Sequence, residues 1–216
     1  SELKEINTAI KEDQKVAAIV SKWQQVLNTK LNEIISNPDE VIYNATTPLD
    51  GRDIPIRSVQ TNLGSIITNA MSFAFEGNVD AALVNGGSIR IDDQLSDAIT
   101  AVDIFRVLPY GGAILKVDIT GHLLKRILQY GSLAAGTGAY LQRYNATFDG
   151  ENWSIAGQIL EVQKTYTVAF SDYLLKGLDI PFLSDTSAGV LEIYRPKDSE
   201  VSSDIRKAVI AYLKTK

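Results

Sequence analysis

The chain contains no cysteine and one histidine, His122. No disulfide, metal–thiolate or multi-histidine centre can staple it, so buried apolar side chains have to hold it together. Its 216 residues, 45% of them hydrophobic, are enough for a sizeable core. The same absences exclude Fe–S clusters and cysteine nucleophiles, and leave few ways to build a Ser-His-Asp triad. They do not fix the compartment, because large exported domains also lack cysteine. The net charge of −5 gives no broad attraction to nucleic acid or anionic membranes. No apolar run reaches the roughly 18 residues of a transmembrane helix, and the first residues do not read as a signal peptide. The expected chain is therefore cytoplasmic, mature, or a piece of something longer.

Hydrophobic spacing divides the chain. Ala9, Val16, Ile19, Val20, Trp23, Leu27, Leu31 and Ile35 keep a helical period, predicting an amphipathic helix over 9–36 that Asn37-Pro38-Asp39 stops. A short strand is expected at 41–46, followed by a Pro- and Gly-punctuated loop at 48–55. Ser58 is the expected N-cap of a second helix whose apolar face runs from Val59 through Leu63, Ile67 and Met71. A buried strand at 81–84 ends in Asn85-Gly86-Gly87. Thr100 caps a short helix through Val107, and a strand follows at 113–119. Thr120 caps a further helix that Gly131 is expected to close. A strand over 165–170, a brief helical turn over 171–177 and a C-terminal helix carrying Val201, Ile205, Val209 and Leu213 complete the reading. Helices and strands are mixed throughout, which sets the class as α+β.

The richest stretch for chemistry is Asn85-Gly86-Gly87-Ser88-Ile89-Arg90. Its glycines permit positive φ and close approach of a ligand. The Asn85 amide both donates and accepts, and Arg90 offers a fork of donors suited to phosphate or carboxylate. On pattern alone a glycine hairpin with a surface arginine is the simpler reading. Arg57, just before the Ser58 helix, and Arg52 in the same loop are candidate anion ligands; solvated loop arginines are the plainer alternative. Tyr110 follows Pro109 and precedes two glycines, where its face is available to a planar base. Tyr173 with Asp179 pairs an aromatic ring with a carboxylate able to accept from a ribose diol. His122 and the Asp92-Asp93 pair receive no role. The sequons at Asn44 and Asn145 carry little weight.

The order of these pieces adds what no single piece supplies. Arg57 and Asn62-Leu-Gly64 come first, then Leu83-Val-Asn-Gly-Gly-Ser-Ile-Arg90, Ile99-Thr100 with Asp103, and Leu108-Pro-Tyr-Gly111. Thr120-Gly121 with Leu124, Gly138-Ala-Tyr140 and Tyr173 to Asp179 follow. Over residues 41–215 this resembles the C-terminal domain of the 5′-nucleotidase family, which includes UDP-sugar hydrolases and 2′,3′-cyclic phosphodiesterases. The resemblance implies an α+β fold layered α-β-β-α. It also implies an interdomain linker helix at 1–40 and a substrate-binding domain at 41–216. Arg57 and Arg90 would hold the substrate phosphate, with Arg52 as an additional arginine. Asn85 and Gly87 of the Asn-Gly-Gly motif, Tyr110, Gly138 and Tyr173 would form the nucleoside site, the two tyrosines sandwiching the base. Asp179 would bind the ribose hydroxyls. Tyrosine replaces the family's phenylalanine at both stacking positions, and Gly177-Leu178-Asp179-Ile180 stands where Gly-Gly-Asp-Gly is usual.

The metallophosphatase signatures are absent from this sequence. The resemblance thus implies a nucleotide-recognition domain of a metal-dependent 5′-nucleotidase, inactive alone and binding no metal itself. Two divalent ions of Zn or Mn type would sit in an N-terminal domain that acts as its partner. An exported location is implied as well. The alternatives are a stand-alone nucleotide- or nucleoside-binding module, the recognition domain of a cyclic phosphodiesterase or UDP-sugar hydrolase, or a structural domain that dimerises through its N-terminal helix.

Overall fold

Asp13 sets the start of the first helix: its carboxylate accepts from the backbone N–H groups of Lys15 and Val16 at 2.9 and 3.1 Å. The computed structural model describes residues 3–4, 7, 10–35 and 37–216, so the Ala9 end expected for this helix lies outside the described residues. Helix α1 spans Gln14–Ile34, later in its start than the hydrophobic spacing predicts, because the cap and not the period fixes the boundary. The chain forms two compact units, Ser1–Glu40 and Val41–Lys216.

In the second unit, β1 (Val41–Asp50) pairs antiparallel with β3 (Gln94–Thr100) as a two-stranded ribbon. The expected loop at 48–55 is therefore partly strand. Pro48, which has no N–H, falls in the register shift between Ala45 and Leu49, where no ladder bond is lost. A single turn, α2 (Asp53–Ile56), leads to α3 (Asn62–Phe73). Thr61, not Ser58, caps α3, accepting from the Gly64 N–H at 3.0 Å, and Val59 is exposed ahead of the helix.

The main sheet has five strands in the order β10-β4-β9-β2-β5: Val190–Tyr194, Ile114–Thr120, Thr165–Ser171, Ala81–Asn85 and Leu141–Tyr144. Only β2 and β9 run parallel among these neighbours. Strand alternation divides its two faces. Ala81 and Leu83 of β2, with Leu115, Val117 and Ile119 of β4, join Leu123, Leu124 and Ile127 of α5 (Gly121–Leu133) in one core. Val84 and its partner Gln142 face α3 on the other side. Gly64 is required there, since a β-carbon would lie 2.1 Å from Gln142 Oε1. Gly131 does not close α5. It lies inside the helix against Leu141, and the left-handed residue after the helix is Gly136, at φ 87°.

Helix α3 also touches β1 and α6 (Ile205–Leu213), while the short α4 (Ala101–Val107) touches β3 and α6. The stacking order is α5, main sheet, α3 with α6, ribbon. Helix α3 thus touches both the main sheet and the ribbon, within the expected α+β class. Helix α3 makes this order workable by burying Leu63, Gly64, Ile67, Thr68, Ala70 and Met71, more than one face of a helix. Val201 falls in a separate 3₁₀ turn ahead of α6, and residues 171–177 form successive turns rather than a helix. The remaining strands, β6 (Ala146–Phe148), β7 (Trp153–Ile155) and β8 (Gln158–Ile159), make a small antiparallel sheet.

Candidate functional site

Strand β2 runs into the cleft. Its last residue, Asn85, is 2% exposed, and a 3₁₀ turn from Gly86 to Ser88 follows. Neither glycine adopts positive φ, contrary to the sequence expectation. They are needed for close packing instead. A β-carbon on Gly86 would sit 2.7 Å from the Ile56 carbonyl, and one on Gly87 3.1 Å from Gly138 Cα. The Gly87 N–H donates to Gly138 O at 2.9 Å, so the 138 loop is zipped to the turn.

The Asn85 side chain works in both directions. Its Nδ2 donates to Asp179 Oδ2 at 2.6 Å, and its Oδ1 accepts from Ser88 Oγ at 2.6 Å. The Tyr173 hydroxyl donates to the other Asp179 oxygen at 3.3 Å. Burial, with the Asp179 charge and hydrogen bond adding to it, pushes the Tyr173 phenol above its ordinary value. Each Asp179 oxygen already has one donor and keeps a lone pair for another.

Around this network lies a cleft of about 530 Å³ that gathers Arg57, Asn85, Gly87, Arg90, Tyr110, Gly138, Tyr173 and Asp179. Arg52 stands apart from it. Its guanidinium forks onto Asp50, with Nε–Oδ1 at 2.9 Å and Nη2–Oδ2 at 2.8 Å. Arg57 sits at the C-terminal end of α2, and α3 begins only at Asn62, so Arg57 does not join a helix N-terminus as expected. It pairs with Asp53 at 2.7 Å while its buried Nε lacks a partner. Arg90 is held by its backbone, N–H to Val107 O at 2.9 Å, and its guanidinium lies 5.9 Å from the Tyr110 ring centre. No carboxylate pairs with Arg90 among the described residues. Tyr110 is 73% exposed, so its ring is open to a partner.

Four cleft residues with polar side chains received no role from the sequence: Ser88, Asp172, Ser171 and Lys176. Position beside Asn-Gly-Gly and beside Tyr173 was the available signal for the first two. Lys176 lies 5.9 Å from the Tyr173 ring centre and 3.8 Å from Asp172. Among the described residues no group of three His, Cys, Asp or Glu side chains is arranged to hold a metal ion. Nor is any described helix long and apolar enough to cross a membrane.

The fold and cleft define an α+β domain that collects two arginines, two tyrosine rings and a part-buried amide–carboxylate pair in one cleft. A family profile described as "5′-nucleotidase, C-terminal domain" matches residues 41–184, and the chain belongs to that family. It is 27% identical over 204 residues to the 5′-nucleotidase of Mus musculus, covering 81% of this chain and 34% of that protein. It is 28% identical over 179 residues to Protein UshA of Escherichia coli, covering 79% of this chain and 30% of that protein. The chain thus spans about a third of the length of these relatives. Among solved structures, the 5′-nucleotidase precursor of Thermus thermophilus superposes with a TM-score of 0.69 at 20% identity, over 89% of this chain and 40% of that one. The Haemophilus influenzae NAD nucleotidase superposes with a TM-score of 0.63 at 17% identity, over 94% of this chain and 39% of that one.

Proposed function

We propose that this chain is the nucleotide-recognition domain of a 5′-nucleotidase-type hydrolase. What carries the reading is one convergence: Arg90, which has no carboxylate partner among the described residues, shares a cleft with the Tyr110 and Tyr173 rings and the Asn85–Asp179 pair. Arg90 and Arg57 would bind the phosphate through charge-assisted hydrogen bonds, the stronger kind. The tyrosines would stack on the base, each contact worth about 1–3 kcal/mol. Asp179, aimed by Asn85 and Tyr173, would accept from the ribose diol. The α1 unit would serve as the link to a phosphatase domain, which would hold the two divalent ions that activate water. In this reading the chain binds and presents the ester, and cleavage falls to that domain. An exported setting belongs to the same reading.

Calorimetry with AMP, adenosine and inorganic phosphate tests it. AMP should bind more tightly than adenosine, and the gap should close in Arg90→Ala. Failure of both AMP and adenosine to bind at millimolar concentration overturns the binding role. Robust phosphate release from AMP by this chain alone, with Mn or Zn added, overturns the division of labour.

A further inference from the structure

The nucleotide reading leaves two charged cleft residues without work. Asp172 lies at the aromatic end. It is the neighbour of Tyr173, and its Oδ1 sits 2.5 Å from where a β-carbon on Gly112 would be, two residues after Tyr110. The carboxylate therefore stands between the turn bearing Tyr173 and the loop bearing Tyr110. Lys176 Nζ is on the Tyr173 side, 5.9 Å from that ring centre. The two charges approach only to 3.8 Å, beyond hydrogen-bond distance, so each keeps donors or acceptors for a ligand. Their side chains are 33% and 57% exposed, reachable from the cleft.

We infer that Asp172 and Lys176 read the polar edge of the base and select guanine; this rests on the nucleotide reading above. A base stacked against Tyr173 turns its edge, not its face, toward neighbouring groups. A carboxylate offers two adjacent acceptors and an ammonium offers donors only. Guanine presents two adjacent donors, N1–H and the N2 amino group, beside the O6 acceptor, which matches carboxylate plus ammonium at every position. Hypoxanthine lacks the N2 donor and loses one bond. Adenine sets its N1 lone pair where the carboxylate needs a donor and its 6-amino donor where the ammonium needs an acceptor, so neither group is served. A polar site rejects an analogue that leaves its groups unpaired far more strongly than an apolar one does.

The test is calorimetric titration of the full chain with GMP, IMP and AMP. GMP should bind at least about tenfold more tightly than AMP, with IMP between. Asp172→Asn, which replaces one acceptor with a donor at constant shape, should cut GMP affinity about tenfold or more while leaving AMP unchanged or tighter. Lys176→Met should weaken GMP and IMP together. Circular dichroism and the thermal midpoint confirm that each variant is folded. Equal affinity for GMP and AMP, or an equal loss for both in Asp172→Asn, overturns this inference while sparing the nucleotide reading. Absence of binding by any nucleotide overturns both.

Discussion

Asn85 and Asp179, 94 residues apart, meet through an Nδ2–Oδ2 hydrogen bond of 2.6 Å in the lining of the cleft. The bond fixes the loop after Gly177 to the end of β2. Removing it leaves Ser88 without its acceptor and Asp179 with Tyr173 alone, both half-buried in the cleft. An unsatisfied group there costs about 1–3 kcal/mol. Asn85→Ala should therefore lower unfolding stability by that amount in urea titration, and weaken adenosine binding as well. A variant as stable as the parent would show that the pair is not a structural tie.

The three arginines should separate by partner. Arg90→Ala should weaken AMP by about tenfold or more, the value of a charged hydrogen bond, while adenosine changes by less than about threefold. Arg52→Ala should leave both affinities unchanged, because Arg52 is engaged with Asp50, whose carboxyl it holds below the ordinary range. An equal effect of the two substitutions on AMP would remove the distinction.

At Tyr173 the ring and the hydroxyl can be told apart. Tyr173→Leu should cost nucleoside affinity about 1–3 kcal/mol through lost stacking. Tyr173→Phe should keep most of that and lose only the 3.3 Å bond to Asp179. Near-equal losses in the two variants would assign the effect to the hydroxyl.

Gly64→Ala pits two effects against each other. Alanine in a helix interior gains about 1 kcal/mol over glycine. The added carbon would displace Gln142, which accepts from Thr61 N–H at 3.1 Å and donates to Ile56 O and Val59 O at 2.8 and 2.6 Å. Losing buried bonds at about 1–3 kcal/mol each outweighs the gain. The variant should be less stable by about 2 kcal/mol or more, read from the denaturation midpoint.

Asp103 gives a pH dependence. Burial raises its pKa, but bonds from the Thr100 N–H and hydroxyl and from Arg106 outweigh burial and hold it below its ordinary value of 3.8. A lowered folded pKa means the charged form stabilises the fold above the unfolded value, and this is lost as pH falls through the folded value. The stability gap between parent and Asp103→Ala, about 1 kcal/mol for a helix cap, should be constant above roughly pH 5. It should shrink below 3.8. A gap that persists in acid would assign the effect to packing instead.

What the sequence made legible were features written in local pattern. The alternation of β4, the Thr120 cap of α5 and the ordered motifs from Arg57 to Asp179 correspond to elements or cleft residues. Features set by partners far along the chain were not legible. Strand β3 has a weak apolar period and exists because β1 pairs with it. Gly86 and Gly87 looked like turn formers, but Ile56 and the Gly138 loop require them. Gln142 in β5 carries no motif, and its importance comes entirely from the three backbone groups it reaches. Asp172 and Lys176 are ordinary surface types until the fold places them in the cleft.

The Gln142 clamp has a further effect at the cleft. The segment it grips, from Ile56 to Thr61, contains Arg57, and Gln60 ties the same segment to Tyr140 and Leu141 of the sheet edge. The Arg57 carbonyl also accepts from Gly136 N–H at 2.8 Å. The backbone under this cation is therefore ordered when the domain folds, not when an anion arrives. Ordering a loop at the moment of association subtracts from affinity. Here that entropic loss has already been absorbed by a glutamine with no chemistry of its own, so the arginine meets its ligand in a preorganised state.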